Sequence, residues 1–137
     1  MTDDDPRDQR RRRSEETQQA IIYQLEHVLQ EFDMRLLILA DAQGLLIAHA
    51  GDDDAATYFA AHAPSLVTDA NPHEELQEVL PDLARHNILC ESISLDNIPL
   101  YLGAVMDPTP EHARAFERVR TGIQRIYYST SELADDP

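Results

Sequence analysis

Apolar residues recur at helical spacing near the beginning of the chain and again near its end. In the first segment the repeating positions are Ile21, Leu25, Val28, Leu29 and Phe32. In the last segment they are Phe116, Val119, Ile123 and Ile126. Spacings of three and four residues place such side chains on one face of a helix. The pattern predicts a first helix that begins near Ser14, a good N-cap residue, and a last helix capped by Thr109 with Pro110 at its first position.

The segment between Met34 and Ala50 has a different pattern, with apolar residues at successive positions on both sides of a short polar turn. Met34–Ala40 predicts one strand, Asp41–Gly44 a turn and Leu45–Ala50 a second strand. Asp is favoured at the first position of a type I turn and Gly at the last. Strands that are apolar at every position are covered on both faces. We therefore expect this hairpin at the centre of the sheet.

Two further helices are predicted after the hairpin. Asp52–Asp54 should cap the first of them, Ala55–Ala63, which Pro64 should end. The second opens with Asn71–Glu74, which supplies an N-cap, a proline at the first helical position and an acid at the third. Pro81 should kink or split this second helix.

Two strands and the last helix complete the chain. Ile88–Leu95 predicts a third strand, and a turn at Asp96 and Asn97 leads into a fourth, Pro99–Met106. The expected fold class is α/β (α+β): an antiparallel sheet of four to five strands flanked by helices. The predicted order is helix, strand, strand, helix or helices, strand, strand, helix.

Both ends of the chain lack apolar periodicity. Residues 1–13 mix Asp3–Asp5 with Arg10–Arg13, and residues 129–137 form a short acidic tail. Such segments bury too little apolar area to offset chain entropy, so we expect both to be disordered. One domain remains, over residues 14–128. No secretory signal is visible and no apolar run approaches the ~20 residues of a membrane helix, so we expect a soluble cytoplasmic protein without membrane contact.

The formal net charge is -15, and all 11 basic residues are arginine. A surface of this sign repels nucleic acid and anionic lipid, so we expect neither as a partner. It would suit a basic protein partner. The alternative is that the acidic residues only maintain solubility.

The motifs of common enzyme active sites are missing. The chain contains no GxxxxGK[ST], GxGxxG or GxSxG sequence. Cys90 lies in an apolar strand with His86 nearby but no orienting third group, which is typical of packing rather than nucleophilic chemistry. These two residues fall short of the four ligands of structural zinc. Asp52–Asp54 lacks the alternate spacing of calcium loops. We expect no catalytic residue, metal or cofactor, and a hydrogen-bonded structural role for His49.

Two segments carry a family resemblance. Leu36–Gly51, LLILADAQGLLIAHAG, resembles the signature hairpin of the Roadblock/dynein light chain family, and Ile98–Ile123 resembles that family's final strand and final helix. Together the resemblance covers roughly residues 18–128. It implies a five-stranded antiparallel sheet between helices, a homodimer, and a role as platform or regulator for small Ras-like GTPases, as in the bacterial gliding-polarity regulators. The fifth strand would lie near Glu74–Leu83, where the apolar spacing favours a helix.

The resemblance also implies that the second helix and the loop after it contact the partner. The expected interface residues are Asp54, Tyr58, Phe59, His62, Leu66 and Val67. The apolar members of this set exceed what one short helix needs for anchorage, and an exposed apolar patch marks a contact surface. The alternative is that these residues simply cover the sheet.

The sequence therefore predicts a non-catalytic protein-interaction module, a dimeric regulator or scaffold for a Ras-like GTPase or its complex. An arginine finger is not foreseeable, since arginines on or beside helices commonly pair with nearby acids. The candidates are Arg85, Arg114 and Arg118. The alternative function is a PAS- or GAF-like ligand sensor, which would need a pocket with convergent polar groups.

Overall fold

A computed structural model describes residues 6–68, 87–107 and 109–135 of the chain. Its elements, in chain order, are α1 (Pro6–Glu31), β1 (Leu36–Asp41), β2 (Leu46–Ala50), α2 (Asp53–Thr68), β3 (Asn87–Leu95), β4 (Ile98–Met106) and α3 (Pro110–Asp135). This order confirms the predicted α+β class. The helix expected from Asn71 and the possible strand near Glu74–Leu83 lie outside the described residues.

The four described strands form one antiparallel sheet in the order β2-β1-β4-β3. The predicted central position of the hairpin is therefore confirmed for β1 and wrong for β2, which lies at an edge. Leu45, expected to begin β2, is 61% exposed in the turn. Successive apolar residues do not distinguish a central strand from an edge strand, because an edge strand covered by a neighbouring helix carries them too.

Helix α1 contacts the edge strand β2 at a β-bulge. The register between β1 and β2 shifts between Leu39 and Ala40, and this bulge leaves Ile47 without a register partner. The side-chain amide of Gln18 donates a hydrogen bond of 2.6 Å to the carbonyl of Ile47. Helix α1 thus satisfies a backbone acceptor on the edge strand.

Successive residues of β1 point into two separate cores. Leu37 and Leu39 belong to the apolar cluster beneath α1 and α3, whereas Leu36, Ile38 and Ala40 belong to the cluster beneath α2. This alternation follows from the two-residue period of a strand. The molecule therefore has three layers, with the sheet between α1 and α3 on one side and α2 on the other.

Both predicted turns are confirmed. The Asp41 carboxylate accepts hydrogen bonds from the backbone N–H groups of Gln43 and Leu45 at 2.8 and 2.9 Å. Gly44 closes this turn with a φ of +83°, a conformation that glycine adopts without steric cost. Between β3 and β4, Asp96 and Asn97 both have positive φ, at 54° and 66°. Two positive φ values at the central residues are the mark of a tight hairpin turn.

The predicted N-caps of α2 and α3 are confirmed, but the predicted helix bounds need correction. Helix α1 begins at Pro6, so Ser14 lies inside it, and α3 continues past Ser129 to Asp135. The polar turns that extend these two helices carry no apolar periodicity, and so the sequence pattern did not reveal them. Helix α2 continues through Pro64 to Thr68, although an interior proline commonly kinks or ends a helix.

His112 connects the ends of three elements in a way that the sequence did not indicate. Its side chain is buried, and Nδ1 accepts a hydrogen bond of 3.0 Å from the backbone N–H of Asp107, just after β4. Its Nε2 lies 2.6 Å from the carbonyl of Phe32, at the end of α1. Since a carbonyl can only accept, Nε2 carries the proton and the ring is neutral.

We expect His112→Ala to lower the free energy of unfolding by about 1–3 kcal/mol, because it leaves a backbone donor and a backbone acceptor without partners in a buried place. Urea denaturation monitored by circular dichroism measures this change. The control is His27→Ala, since the His27 side chain is 66% exposed. Equal stability of the two variants would contradict a structural role for His112.

Candidate protein-interaction surface

Helix α2 lies close to the sheet because its inner face is built from small residues. That face consists of the buried residues Ala55, Ala56, Phe59, Ala60 and Ala63. Asp52 caps the helix, accepting a hydrogen bond of 2.8 Å from the backbone N–H of Ala55. The single large side chain, Phe59, packs over Gly103 of β4, where an added Cβ would lie 2.8 Å from the ring atom Cζ. Glycine at position 103 therefore leaves the space that the Phe59 ring occupies.

The structure separates the six predicted interface residues into three groups. Asp54 is exposed, and Tyr58 and His62 are half-buried, with ring centroids 4.6 Å apart at an angle of 43°. Phe59 is completely buried in the core, so it cannot contact a partner of the folded chain. The backbone of α2 includes Leu66 and Val67, whose side chains lie outside the described residues.

Five outward residues of α2, namely Asp54, Thr57, Tyr58, Ala61 and His62, form what we call the α2 surface. Spacings of three and four residues place them on one face of the helix. Thr57 and Ala61 carry no signal in the sequence that would have marked them. They lie on the outer face of α2 because the opposite face of the helix packs on the sheet.

His49 and Asp53 connect β2 to the beginning of α2. The His49 Nε2 lies 2.6 Å from the Asp53 Oδ1, with His49 27% and Asp53 89% exposed. The connection passes through Gly51, whose φ is +113° and where an added Cβ would lie 2.8 Å from the Arg35 carbonyl oxygen. The predicted structural, hydrogen-bonded role of His49 is confirmed. This contact and the Asp52 cap together position the first turn of α2.

The Cys90 thiol packs beneath α2, as predicted, rather than forming a reactive group. Its Sγ lies 3.8 Å from the carbonyl oxygen of Ala63. Burial, and to a lesser extent the charge of Glu91, raises the pKa of Cys90 to about 12. A thiol protonated at neutral pH is a poor nucleophile.

The arginine candidates differ in their surroundings. Arg118 Nη1 lies 2.9 Å from the Glu31 Oε2, and its guanidinium carbon is 5.8 Å from the centre of the Phe32 ring. This pairing with an acid is the one that helix arginines were expected to make. Arg114 is exposed and forms no ion pair with any other described residue. Arg85 lies outside the described residues.

Within residues 6–68, 87–107 and 109–135, no three His, Cys, Asp or Glu side chains are arranged to hold a metal ion. In the same part of the chain, no helix has both the length and the apolar character needed to cross a membrane.

Comparison with known proteins places the fold. No family model matches the chain, and no curated protein sequence matches it. Among solved structures, MglB of Myxococcus xanthus is 14% identical with a TM-score of 0.56, over 82% of this chain and 91% of that chain. The gliding protein MglB of Thermus thermophilus is 16% identical with a TM-score of 0.55, over 82% of this chain and 92% of that chain.

A third solved structure, described as MglB with a tetrameric arrangement, is 17% identical with a TM-score of 0.53, over 83% of this chain and 92% of that chain. At these identities the likeness establishes the fold and not the activity. The predicted resemblance is confirmed at that level: the chain folds as a Roadblock-like domain.

Proposed function

We propose that this chain is a non-catalytic, dimeric Roadblock-type module that binds a small Ras-like GTPase or a GTPase-linked protein. The observation that carries the proposal is the likeness to the MglB structures, which extends over more than nine tenths of each of those chains. The Roadblock family to which the hairpin is similar has Ras-like GTPases as partners. The PAS- or GAF-like alternative is not favoured by these structures.

The chemistry of the described side chains supports binding rather than catalysis. The Cys90 thiol has a pKa of about 12. Among the described arginine-finger candidates, Arg118 pairs with Glu31 and lies near the Phe32 ring. A regulator of this kind changes its partner's state through contact, without supplying a reacting group.

The α2 surface is the proposed contact. Tyr58 and His62 form a half-buried pair of rings beside the exposed carboxylate of Asp54. Aromatic side chains on a rigid helix lose little conformational entropy on binding and are enriched in interface cores. Asp52 and Asp53 at the beginning of α2 add negative charge, which would steer a basic partner and make association weaken with salt.

We expect the double variant Tyr58→Ala, His62→Ala to remain folded and to lose about tenfold or more in affinity for a small GTPase of the same organism, the loss typical of truncating interface anchors. The measurement is retention of purified candidate GTPases, loaded with GDP or with a non-hydrolysable GTP analogue, on the immobilised chain. Binding should also weaken as the salt concentration rises.

The control is Tyr23→Ala, which removes an aromatic ring that is 65% exposed on α1. This variant should bind like the wild type. Retention of no GTPase in either nucleotide state would contradict the proposed function. Binding of free GTP or another small molecule by the isolated chain would instead favour the ligand-sensor alternative.

A further inference from the structure

A second surface lies on the opposite side of the sheet, where α1 and α3 pack against each other. A solvent-facing groove of about 460 Å³ runs along this helix pair. Its lining residues, which we call the arginine groove, are Gln24, Arg114, Glu117, Arg118, Thr121, Gly122 and Arg125.

The arrangement of this groove follows from the spacing along α3. Arg114, Arg118 and Arg125 lie on one helix face with Thr121 between them, since the intervals are four, three and four residues. At the floor, an added Cβ on Gly122 would lie 2.6 Å from the Nε2 of Gln24. The absence of a side chain at position 122 thus lets the α1 amide lie beside the row of arginines.

The groove presents solvent-exposed hydrogen-bond donors. Arg114 and Arg125 form no ion pair with any described residue. The Gln24 amide forms no hydrogen bond with any described residue. Glu117, the acid among the lining residues, is directed to Arg120 at 2.7 Å. In a chain with a formal net charge of -15, Arg114 and Arg125 place two exposed positive charges on one face of a helix.

We propose that the arginine groove binds an acidic peptide segment of a partner protein. Guanidinium groups hold carboxylates through paired N–H donors, and the Gln24 amide and Thr121 hydroxyl can bind the peptide backbone. The row from Arg114 to Arg125 spans about 16 Å along the helix, which is the length of about five extended residues. A linear row of this length suits an extended chain better than a single small anion.

The overall negative charge of the chain disfavours larger anionic partners. A membrane or a nucleic acid would extend beyond the groove and meet the acidic surface of the rest of the chain, which repels it. A short acidic peptide would remain within the positive region. Because the groove and the α2 surface lie on opposite sides of the sheet, one molecule can hold two proteins at once.

The test is fluorescence anisotropy of a labelled peptide of alternating glutamate and aspartate, titrated with the full chain at low salt. The Arg114→Glu, Arg125→Glu double variant should weaken binding by about tenfold or more, since two attractions become repulsions. The control is Arg12→Glu with Arg35→Glu, which changes the net charge equally at residues outside the groove. That control should bind within about twofold of the wild type.

Circular dichroism establishes that the variants are folded, and Arg114→Gln with Arg125→Gln provides a neutral pair if the charge reversals disturb the helix. Several outcomes would overturn the proposal: no saturable binding, an equal loss in the control pair, or equal binding of a matched peptide of glutamine and asparagine. Displacement of the peptide by inorganic phosphate at the same concentration would indicate a simple anion site. Groove-dependent retention on phosphatidylserine vesicles would indicate a membrane surface instead.

Discussion

Replacing either Leu37 or Ile38 by aspartate is expected to unfold the protein. Both side chains are completely buried, and they point into different cores, Leu37 beneath α1 and α3 and Ile38 beneath α2. A buried carboxylate without a partner costs several kcal/mol, which is comparable with a whole domain's stability of ~5–15 kcal/mol. The far-ultraviolet circular dichroism of both variants should lose its cooperative thermal transition.

The matched control lies in the same hairpin. Leu45 is 61% exposed, so Leu45→Asp makes the same chemical change without burying a charge. It should melt within a few degrees of the wild type, since surface substitutions usually change stability by about 0.5 kcal/mol or less. A cooperative transition near the wild-type temperature in either core variant would contradict the three-layer arrangement around β1.

The second large effect is expected at Phe59. Phe59→Ala should lower the free energy of unfolding by about 3–5 kcal/mol, because it empties a ring-sized volume between α2 and β4. The adjacent Tyr58→Ala should cost much less, because Tyr58 is half-buried on the outer side. Urea denaturation measures the loss in the free energy of unfolding for each variant. A much larger loss for Phe59→Ala would identify Phe59 as a core residue and Tyr58 as a surface residue.

The Phe59–Gly103 contact has its own test. Gly103→Ala alone should destabilise by about 1–3 kcal/mol through overpacking, since its new methyl group would overlap the Phe59 ring. Combined with Phe59→Ala, the same methyl group would enter the vacated space. The double variant should therefore be more stable than the sum of the two single effects predicts. Strict additivity would mean that the two residues do not share this space.

The sequence predicted those parts of the fold that depend on local chemistry. Asp41, Asp52 and Thr109 accept the hydrogen bonds that their positions predicted, and Asp96 and Asn97 form the expected turn. These features depend on residues within a few positions of one another. The order of the elements followed from the same local signals.

Apart from the helix bounds, the errors concern contacts between residues that are distant in the chain. A run of apolar residues shows that a strand is covered but not which strand lies beside it, and so β2 was placed at the centre. Phe59 was assigned to the interface because nothing nearby in the sequence indicates that Gly103 leaves space for its ring. The sequence did not indicate the arginine groove for the same reason. Gln24 and Gly122 come into contact only when α1 packs on α3.

The Gln18–Ile47 hydrogen bond also limits how copies of this chain can assemble. A strand from another molecule that approached the β2 edge would have to displace α1 to reach the carbonyl of Ile47. At that position the acceptor that an added strand would need is already taken by the Gln18 amide. An occupied acceptor disfavours the pairing of a further strand at that point of the edge, which is one way in which sheet proteins limit edge-to-edge aggregation.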